Sequence, residues 1–445
     1  MSGFDAPYRG AVYKTGVEGE LMSDSNAQPR EWPCSIRHLK VFDSVAQLNG
    51  VQRASEECHV SQPAVTQALA KLEEQIGVAL LQRCARGTYL NEFGIIFHRR
   101  TQRFFAQLEQ ALTELGVPGT PVPLARIASR ISRSQLLTLI SIVETGSFEQ
   151  AARGLELSQA SLHRAVRDLE RTLHTPLFTQ AAFGIVATPA AAEFARRIKL
   201  AQREIELGIE EVETAQGNCG GEIVIGAMRV AGSVMLASVI NEFATSYPTA
   251  HIRVLTGTPK EMMRSLRCGD LDAVLGLLTD PGSADLVQEP LGETPYMVVA
   301  RHGHPLMQRA SVSLDDLSRF EWVIGTAEGG RRARFDKLFS GQRQPLVRIE
   351  ASSLPTIRVL LAQSDRLTLL TSYELMCEED TLTSLPYFGT IEPVPFFGLT
   401  TRENWLPTQR QASFIQLIQK RIVRSLMPTQ DSQRSSASRP RLASL

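Results

Sequence analysis

Two stretches of this 445-residue chain set short hydrogen-bonding side chains ahead of an apolar helical stripe. One, "VSQPAVTQALAKLEEQIGVALLQR", starts at Val60; the other, "LSQASLHRAVRDLERTLHTPLFTQ", starts at Leu157. The first offers Ser61, Gln62, Pro63, Thr66, Gln67 and Lys71, and the second Ser158, Gln159, Ser161, His163, Arg164 and Arg167. A glutamine amide can pair with both polar atoms of an adenine edge, and a guanidinium with those of guanine. A helix that reads a major groove presents its N-terminal residues there, where such groups are needed. An ordinary solvated helix face would explain one such stretch equally well. Two with the same Ser-Gln opening favour groove reading.

Other chemistries find less support. His302 and His304 form a His-x-His, but no third ligand lies near in sequence, so no metal is expected. "GTAEGG" followed by Arg331, Arg332 and Arg334 lacks the lysine and spacing of a P-loop. Asp315 and Asp316 read as helix-start residues, not as an acid–base pair. No Ser-His-Asp or Cys-His arrangement is legible, so neither an enzyme nor a cofactor is expected. The cysteines (Cys34, Cys58, Cys84, Cys219, Cys268, Cys377) form no C-x-x-C, which favours a reduced, cytoplasmic setting over disulfides or zinc. Lys and Arg (47) balance Asp and Glu (47), which speaks against a wholly basic coat but not against a local reading head. The N-terminus has no apolar core segment and no apolar run reaches membrane-spanning length, so no membrane partner and no export are expected.

The elements that position these residues occur twice. Ala54 matches Ala151, Ser61 Ser158, Gln62 Gln159, Leu72 Leu169, Glu73 Glu170, Leu80 Leu177 and Gly87 Gly184, all at one offset without a gap. That is the signature of a duplicated structural unit. In the second copy Leu136, Leu139, Ile142 and Val143 mark a helix, Gly146 a turn, and Ser147 the cap of the next helix. A third helix starts at Ser158 and carries Leu162, Val166, Leu169 and Leu173 on one face, as the first copy carries Val65, Leu69, Leu72 and Ile76. Pro63 is tolerated in a first turn. An extended piece ending near a glycine follows each third helix, so each copy predicts a winged helix-turn-helix. The first wing, "RCARG", holds Arg83 and Arg86 for phosphates; its counterpart, "QAAFG", is uncharged.

Long helices follow both wings. Phe97, Phe104, Leu108, Leu112 and Leu115 form one apolar stripe, and Phe194, Ile198, Ala201, Ile205, Ile209 and Val212 another. Such stripes want partner helices, within the chain or between chains. From Gly221 the pattern changes to strand, helix, strand, helix, strand, which predicts a parallel α/β sheet. A second set follows, in "YMVVARHGHPL", "EWVIGTAEGG" and "LVRIEASSLPTIRVLLAQSDRLTLLTS". Small ligands favour the carboxyl ends of such strands, near helix N-termini. The candidates are therefore Met228, Arg229, Val230 and Ser233, then Thr256, Gly257 and Thr258, then Gly325, Thr326 and Ala327. Arg229 and the helix N-termini would suit an anion. Ser352 and Ser353 are weaker candidates, explained by capping.

The Ser-Gln-Pro-Ala helix with its Leu-Glu-x-x-x-Gly ending, together with "CGDLDAVLG" and "RHGHPL", resembles the LysR-type transcriptional regulators over residues 36–427. The resemblance implies a multidomain protein. Two all-α winged helix-turn-helix domains with long linker helices would precede a two-lobed α/β effector domain like a periplasmic binding protein. Expected boundaries are 1–32 disordered, 33–116 first head and linker helix, 117–130 linker, 131–217 second head and linker helix, and 428–445 disordered. The effector domain would span 218–427, with lobe I at 220–290 and 396–427 and lobe II at 291–395. It implies double-stranded DNA and a small-molecule effector as partners, a homo-oligomer (dimer or tetramer), and RNA polymerase as a further partner. The family usually carries one head and this chain two, which is the main departure. Its third helix usually holds arginines where the first copy has Gln67, Ala70 and Lys71, and the second Arg164, Arg167 and Asp168. Both heads are expected to share the DNA contacts. The competing reading makes one copy a packing module, or the whole chain a solute sensor acting through protein contacts.

Overall fold

The computed structural model describes residues 33–85, 87–116, 130–181, 184–218, 221–228, 233–327 and 329–426. The expected disordered ends and the proline-rich stretch 117–129 lie outside them. In the first head, helices α1 (Ile36–Leu48), α2 (Val51–Glu57) and α3 (Gln62–Ile76) precede the two-stranded wing β1 (Leu81–Cys84) and β2 (Gly87–Leu90). The second head repeats this as α5 (Arg133–Thr145), α6 (Phe148–Gly154), α7 (Gln159–Leu173), β3 (Phe178–Ala181) and β4 (Gly184–Ala187).

Local chemistry fixes these boundaries. The Ser61 and Ser158 hydroxyls each accept a backbone N–H of the first turn, from Ala64 and Ser161. Helix α3 ends at Gly77 in the left-handed region (φ 83°), and α7 at His174 with φ 52°. Behind each third helix one carboxylate oxygen accepts two N–H groups at the start of the wing. Glu73 takes Leu80 (2.7 Å) and Leu81 (3.2 Å), and Glu170 takes Leu177 (2.8 Å) and Phe178 (3.1 Å). The matched glutamates therefore tie wing to helix in both heads.

The long helices α4 (Glu92–Glu114) and α8 (Pro189–Ala215) pack against each other within the chain, antiparallel. Their stripes join one core of Phe97, Phe104, Leu108 and Leu112 with Phe194, Ile198, Ala201 and Ile205. Each of the Phe, Leu and Ile side chains stabilises by about 1.5–3 kcal/mol on burial. At Gly208 the helices touch: a Cβ there would lie 3.0 Å from that of Arg100. The pairing question left open by the stripes is answered inside one chain.

The rest forms two lobes. Lobe I is a five-stranded sheet in the order β6-β5-β7-β14-β8, from β5 (Glu222–Met228), β6 (His251–Gly257), β7 (Ala273–Leu277), β8 (Leu286–Glu293) and β14 (Phe396–Arg402). β5 runs parallel to β6 and β7, while β14 returns antiparallel between β7 and β8. Helices α9 (Ser233–Ser246), α10 (Pro259–Cys268) and α15 (Gln409–Leu426) pack on it. A capping box opens α10: Thr258 accepts from Glu261 N, and the Glu261 carboxylate accepts Thr258 N–H at 2.8 Å.

Lobe II has β9 (Tyr296–Arg301) between β12 (Thr368–Thr371) and β13 (Leu382–Ser384), all antiparallel. A parallel pair, β10 (Trp322–Ile324) and β11 (Val347–Glu350), lies beside it. Helices α11 (Leu314–Ser318), α12 (Gly330–Leu338), α13 (Leu354–Ala362) and α14 (Ser372–Met376) complete the lobe around Trp322, Phe335 and Phe339.

Candidate nucleic-acid interface and effector region

Both third helices present the expected ends to solvent. Ser61, Gln62, Pro63, Thr66, Gln67 and Lys71 are exposed on α3, while Val65, Leu69, Leu72 and Ile76 are buried beneath them. On α7, Ser158, Gln159, Ser161, Arg164 and Arg167 are exposed over Leu162, Val166, Leu169 and Leu173. Arg164 and Arg167 make no ion pair among the described residues. The Ser161 hydroxyl lies 2.8 Å from that of Ser158, so it is partly engaged in the cap. His163 departs from its expected role. It is half-buried, its ring stacked on Phe148 at 4.4 Å with planes 9° apart, and Phe148 meets Phe178 edge-on.

The heads distribute positive charge differently. Arg83 is exposed on the first wing; Arg86 lies outside the described residues. His38, at the base of α1, has its pKa lowered from 6.5, by burial first and then by Lys71 and Arg37 beside it. The first head thus carries Arg37 on α1, Lys71 on α3 and Arg83 on the wing. Their counterparts in the second head are Ser134, Asp168 and Gln180, and Asp168 pairs with Arg171 at 2.8 Å. Cys34 is buried in the first head, and burial pushes its thiol up to about 12, so it carries no thiolate chemistry.

The effector candidates fare unevenly. Thr256 and Thr326 are exposed near the ends of β6 and β10. Thr258 is spent in the capping box of α10. Met228 is a correction. Its side chain is buried with Val224, Met262 and Leu271, and a Cβ on Gly276 would meet its Cγ at 2.7 Å, so it fills the core behind the sheet. Arg229 and Val230 lie outside the described residues. Ser233 begins α9, and its side chain lies outside the described atoms. Ser353 stands at the cap position of α13 without a side-chain cap bond, so capping does not account for it.

Sequence reasoning missed a cluster at the junction of the lobes. Thr294, between β8 and β9, shares its hydroxyl with Ser372 (3.1 Å) and accepts Tyr373 N–H (3.0 Å). Tyr373 of lobe II stacks on Phe397 of lobe I at 4.3 Å, its hydroxyl buried without a partner. Next to it, buried Arg331 pairs with buried Glu374 at 2.7 Å. The Arg334 guanidinium lies 5.8 Å from the Tyr296 ring centre, and the Nε atoms of both arginines are buried without an acceptor among the described residues. Failing as a P-loop hid these arginines; their placement at the N-terminus of α12, beside β10, was the available signal. His302 and His304 face different carbonyls, Glu379 at 2.8 Å and Asp365 at 3.2 Å, which explains both without metal.

Lobe I is clamped to the helix pair by ion pairs and carbonyl contacts. Arg100 of α4 is fully buried, bonding Glu204 and Glu211 of α8 at 2.8 Å and the Leu406 carbonyl at 2.9 Å. Arg103 reaches the Asn404 carbonyl at 2.7 Å. From α8, Arg196 donates to the Arg267 carbonyl at 2.9 Å, and Lys199 pairs with Asp270 at 2.7 Å and with Glu144 of the second head. Cavities of about 420 and 430 Å³ lie along this seam, one beside Arg99 and Arg410, the other beside Lys199 and Arg264. They are gaps in a charged joint and lie away from the lobe junction.

Comparison with known proteins fits this architecture. Residues 216–422 match the family described as LysR substrate binding domain. Residues 36–95 and 134–192 each match the bacterial regulatory helix-turn-helix protein, lysR family. The chain is 31% identical over 350 residues to the HTH-type transcriptional regulator GalR of Pseudomonas putida, covering 77% of this chain and 86% of that protein. It is 28% identical over 194 residues to GbpR of Rhizobium radiobacter, covering 43% and 64%. Full-length OxyR from Pseudomonas aeruginosa aligns with 65% of this chain and 93% of its own, at 19% identity and a TM-score of 0.46. No described helix is long and apolar enough to cross a membrane. Two helix-turn-helix matches on the duplicated heads, a substrate-binding match on the lobes, and a relative spanning most of both chains place this protein in the LysR family of transcriptional regulators.

Proposed function

We propose that this regulator binds double-stranded DNA sequence-specifically through both heads and answers to a small anionic effector held between its lobes. The observation that carries the first half is the exposure of both Ser-Gln helix ends over buried apolar faces. A solute sensor with dead heads would have no need for two such surfaces, and that reading is set aside. Gln62 and Gln67 suit adenine edges, Arg164 and Arg167 guanine, and Arg83 and Lys71 phosphates. The effector half rests on the lobe junction, where Arg331 and Arg334 at the start of α12 have spare Nε donors beside Tyr296 of β9. Effector binding that favours one lobe arrangement would shift the heads through the Arg100 and Lys199 contacts. The site of action is the cytoplasm, where the chromosome of a bacterial cell lies.

The test is a gel shift of the full chain on the duplex upstream of its own gene, titrated with salt. The plot of log K against log salt should fall steeply, and Arg83→Ala or Lys71→Ala should flatten the slope by about one each. Binding equal to that of random duplex, and unmoved by changes in either head, would overturn the DNA reading. For the effector half, small carboxylates and inorganic phosphate are screened by thermal shift on the wild type and on Arg334→Ala. A shift lost in the variant is expected; a shift equal in both overturns the assigned site.

A further inference from the structure

The helix pair has a symmetry that the chain's single sensor body does not share. Arg100 pairs with Glu211 across it, and Arg197 pairs with Glu114 (Nη2 to Oε1, 2.6 Å). Arg197 is the repeat counterpart of Arg100, and Glu211 that of Glu114. Phe97 lies over Gly208; their counterparts, Phe194 and Ala111, are both buried in the same core. Contacts that interchange in this way define an isologous interface, which two-fold symmetry produces between identical subunits. Here it lies inside one polypeptide and relates the two heads by a pseudo-two-fold.

A true homodimer must offer the same residues to both halves of its DNA site, so its sites are palindromic. This chain is freed from that constraint and has used the freedom. Thr66, Gln67 and Ala70 on α3 correspond to His163, Arg164 and Arg167 on α7. Arg37, Lys71 and Arg83 in the first head have become Ser134, Asp168 and Gln180 in the second. One head carries its cations on three elements with glutamines on its reading helix, and the other carries guanidinium groups on the reading helix itself.

We infer that the DNA site of this protein is bipartite and non-palindromic, its two unlike halves read in cis by the two heads of one chain. The inference rests on the DNA-binding reading above. The half under the second head is guanine-bearing, read by Arg164 and Arg167; the half under the first is adenine-bearing, read by Gln67, and held more by phosphates.

The experiment is selection of bound sequences from randomised duplexes by the full chain, repeated with Gln67→Ala, with Arg164→Ala and with an equimolar mixture of the two. The wild type should enrich two unlike halves. Each variant should lose about ten- to hundredfold of the discrimination at its own half and keep the other. The mixture should not restore the full motif, because the intact heads sit on different chains. A palindromic motif, a motif answering to one head only, or restoration by the mixture overturns the inference while leaving DNA binding intact. No enrichment at all overturns the DNA-binding reading itself.

Discussion

The Glu73 carboxylate accepts two backbone N–H groups at the turn into the wing, and Glu170 does the same in the second head. Glu73→Ala should therefore destabilise its head by about 2–4 kcal/mol, two charge-assisted bonds being lost and two partly buried donors stranded. Glu170→Ala should do the same to the other head, and denaturant unfolding of each variant measures both. Their identity at a fixed offset was legible in the sequence; that they bind the wing was not, because the acceptors' partners are backbone and leave no side-chain trace. His38 supplies a pH test. Its folded pKa lies below 6.5, so the unfolded head binds more protons as pH falls past that value. Its contribution is present above pH 6.5 and lost as pH drops through the folded value. Its counterpart in the second head is Gln135, which closes the Ser132 capping box. His38→Gln should flatten the pH dependence of first-head stability between neutrality and pH 5, read by thermal unfolding across that range. The arginines of α12 show the opposite lesson. Arg331 and Arg334 were visible as a cluster, but only the chain's return through Tyr373 and Glu374 brings them to the lobe junction.

At the scale of elements, the long helices and their stripes were readable from spacing. Whether α4 pairs with α8 or with another chain was not, since an apolar stripe looks the same to either partner. The structure decides through Arg100, whose counterpart Arg197 allows a direct comparison. Arg100 is wholly buried between two carboxylates and a carbonyl, whereas Arg197 retains solvent contact beside Glu114. Arg100→Met should cost about 2–4 kcal/mol, because the Leu406 carbonyl loses its donor and the two carboxylates keep only the more exposed Arg103 (on Glu204) and Arg99 (on Glu211). Arg197→Met should cost about 1 kcal/mol or less, as for partly exposed pairs. Equal losses in denaturant unfolding would mean that the buried arginine does not hold the pair together. The alternating pattern accounted for the parallel β6-β5-β7 core of lobe I, whereas the three-stranded sheet of lobe II is antiparallel, against the expectation of parallel strands. The misassigned element end was that of β5, where Met228 turned to the core because consecutive strand residues alternate faces.

At the scale of the whole molecule, one sensor body serves two heads. It touches both linker helices, through Leu406 and Asn404 on one side and Arg267 and Asp270 on the other. Under the proposed function, a single effector event would move both heads together through these contacts. Family membership was legible from one copy of the reading helix, whereas the paired arrangement of two copies required the fold. Hydroxyl-radical footprinting of the full chain on its selected duplex tests the account most directly. It predicts two protected patches on one face of the DNA, offset by one or more turns of about 10.5 base pairs, the first weakened by Lys71→Ala and the second by Arg164→Ala. A single patch that ignores changes in one of the heads would contradict it.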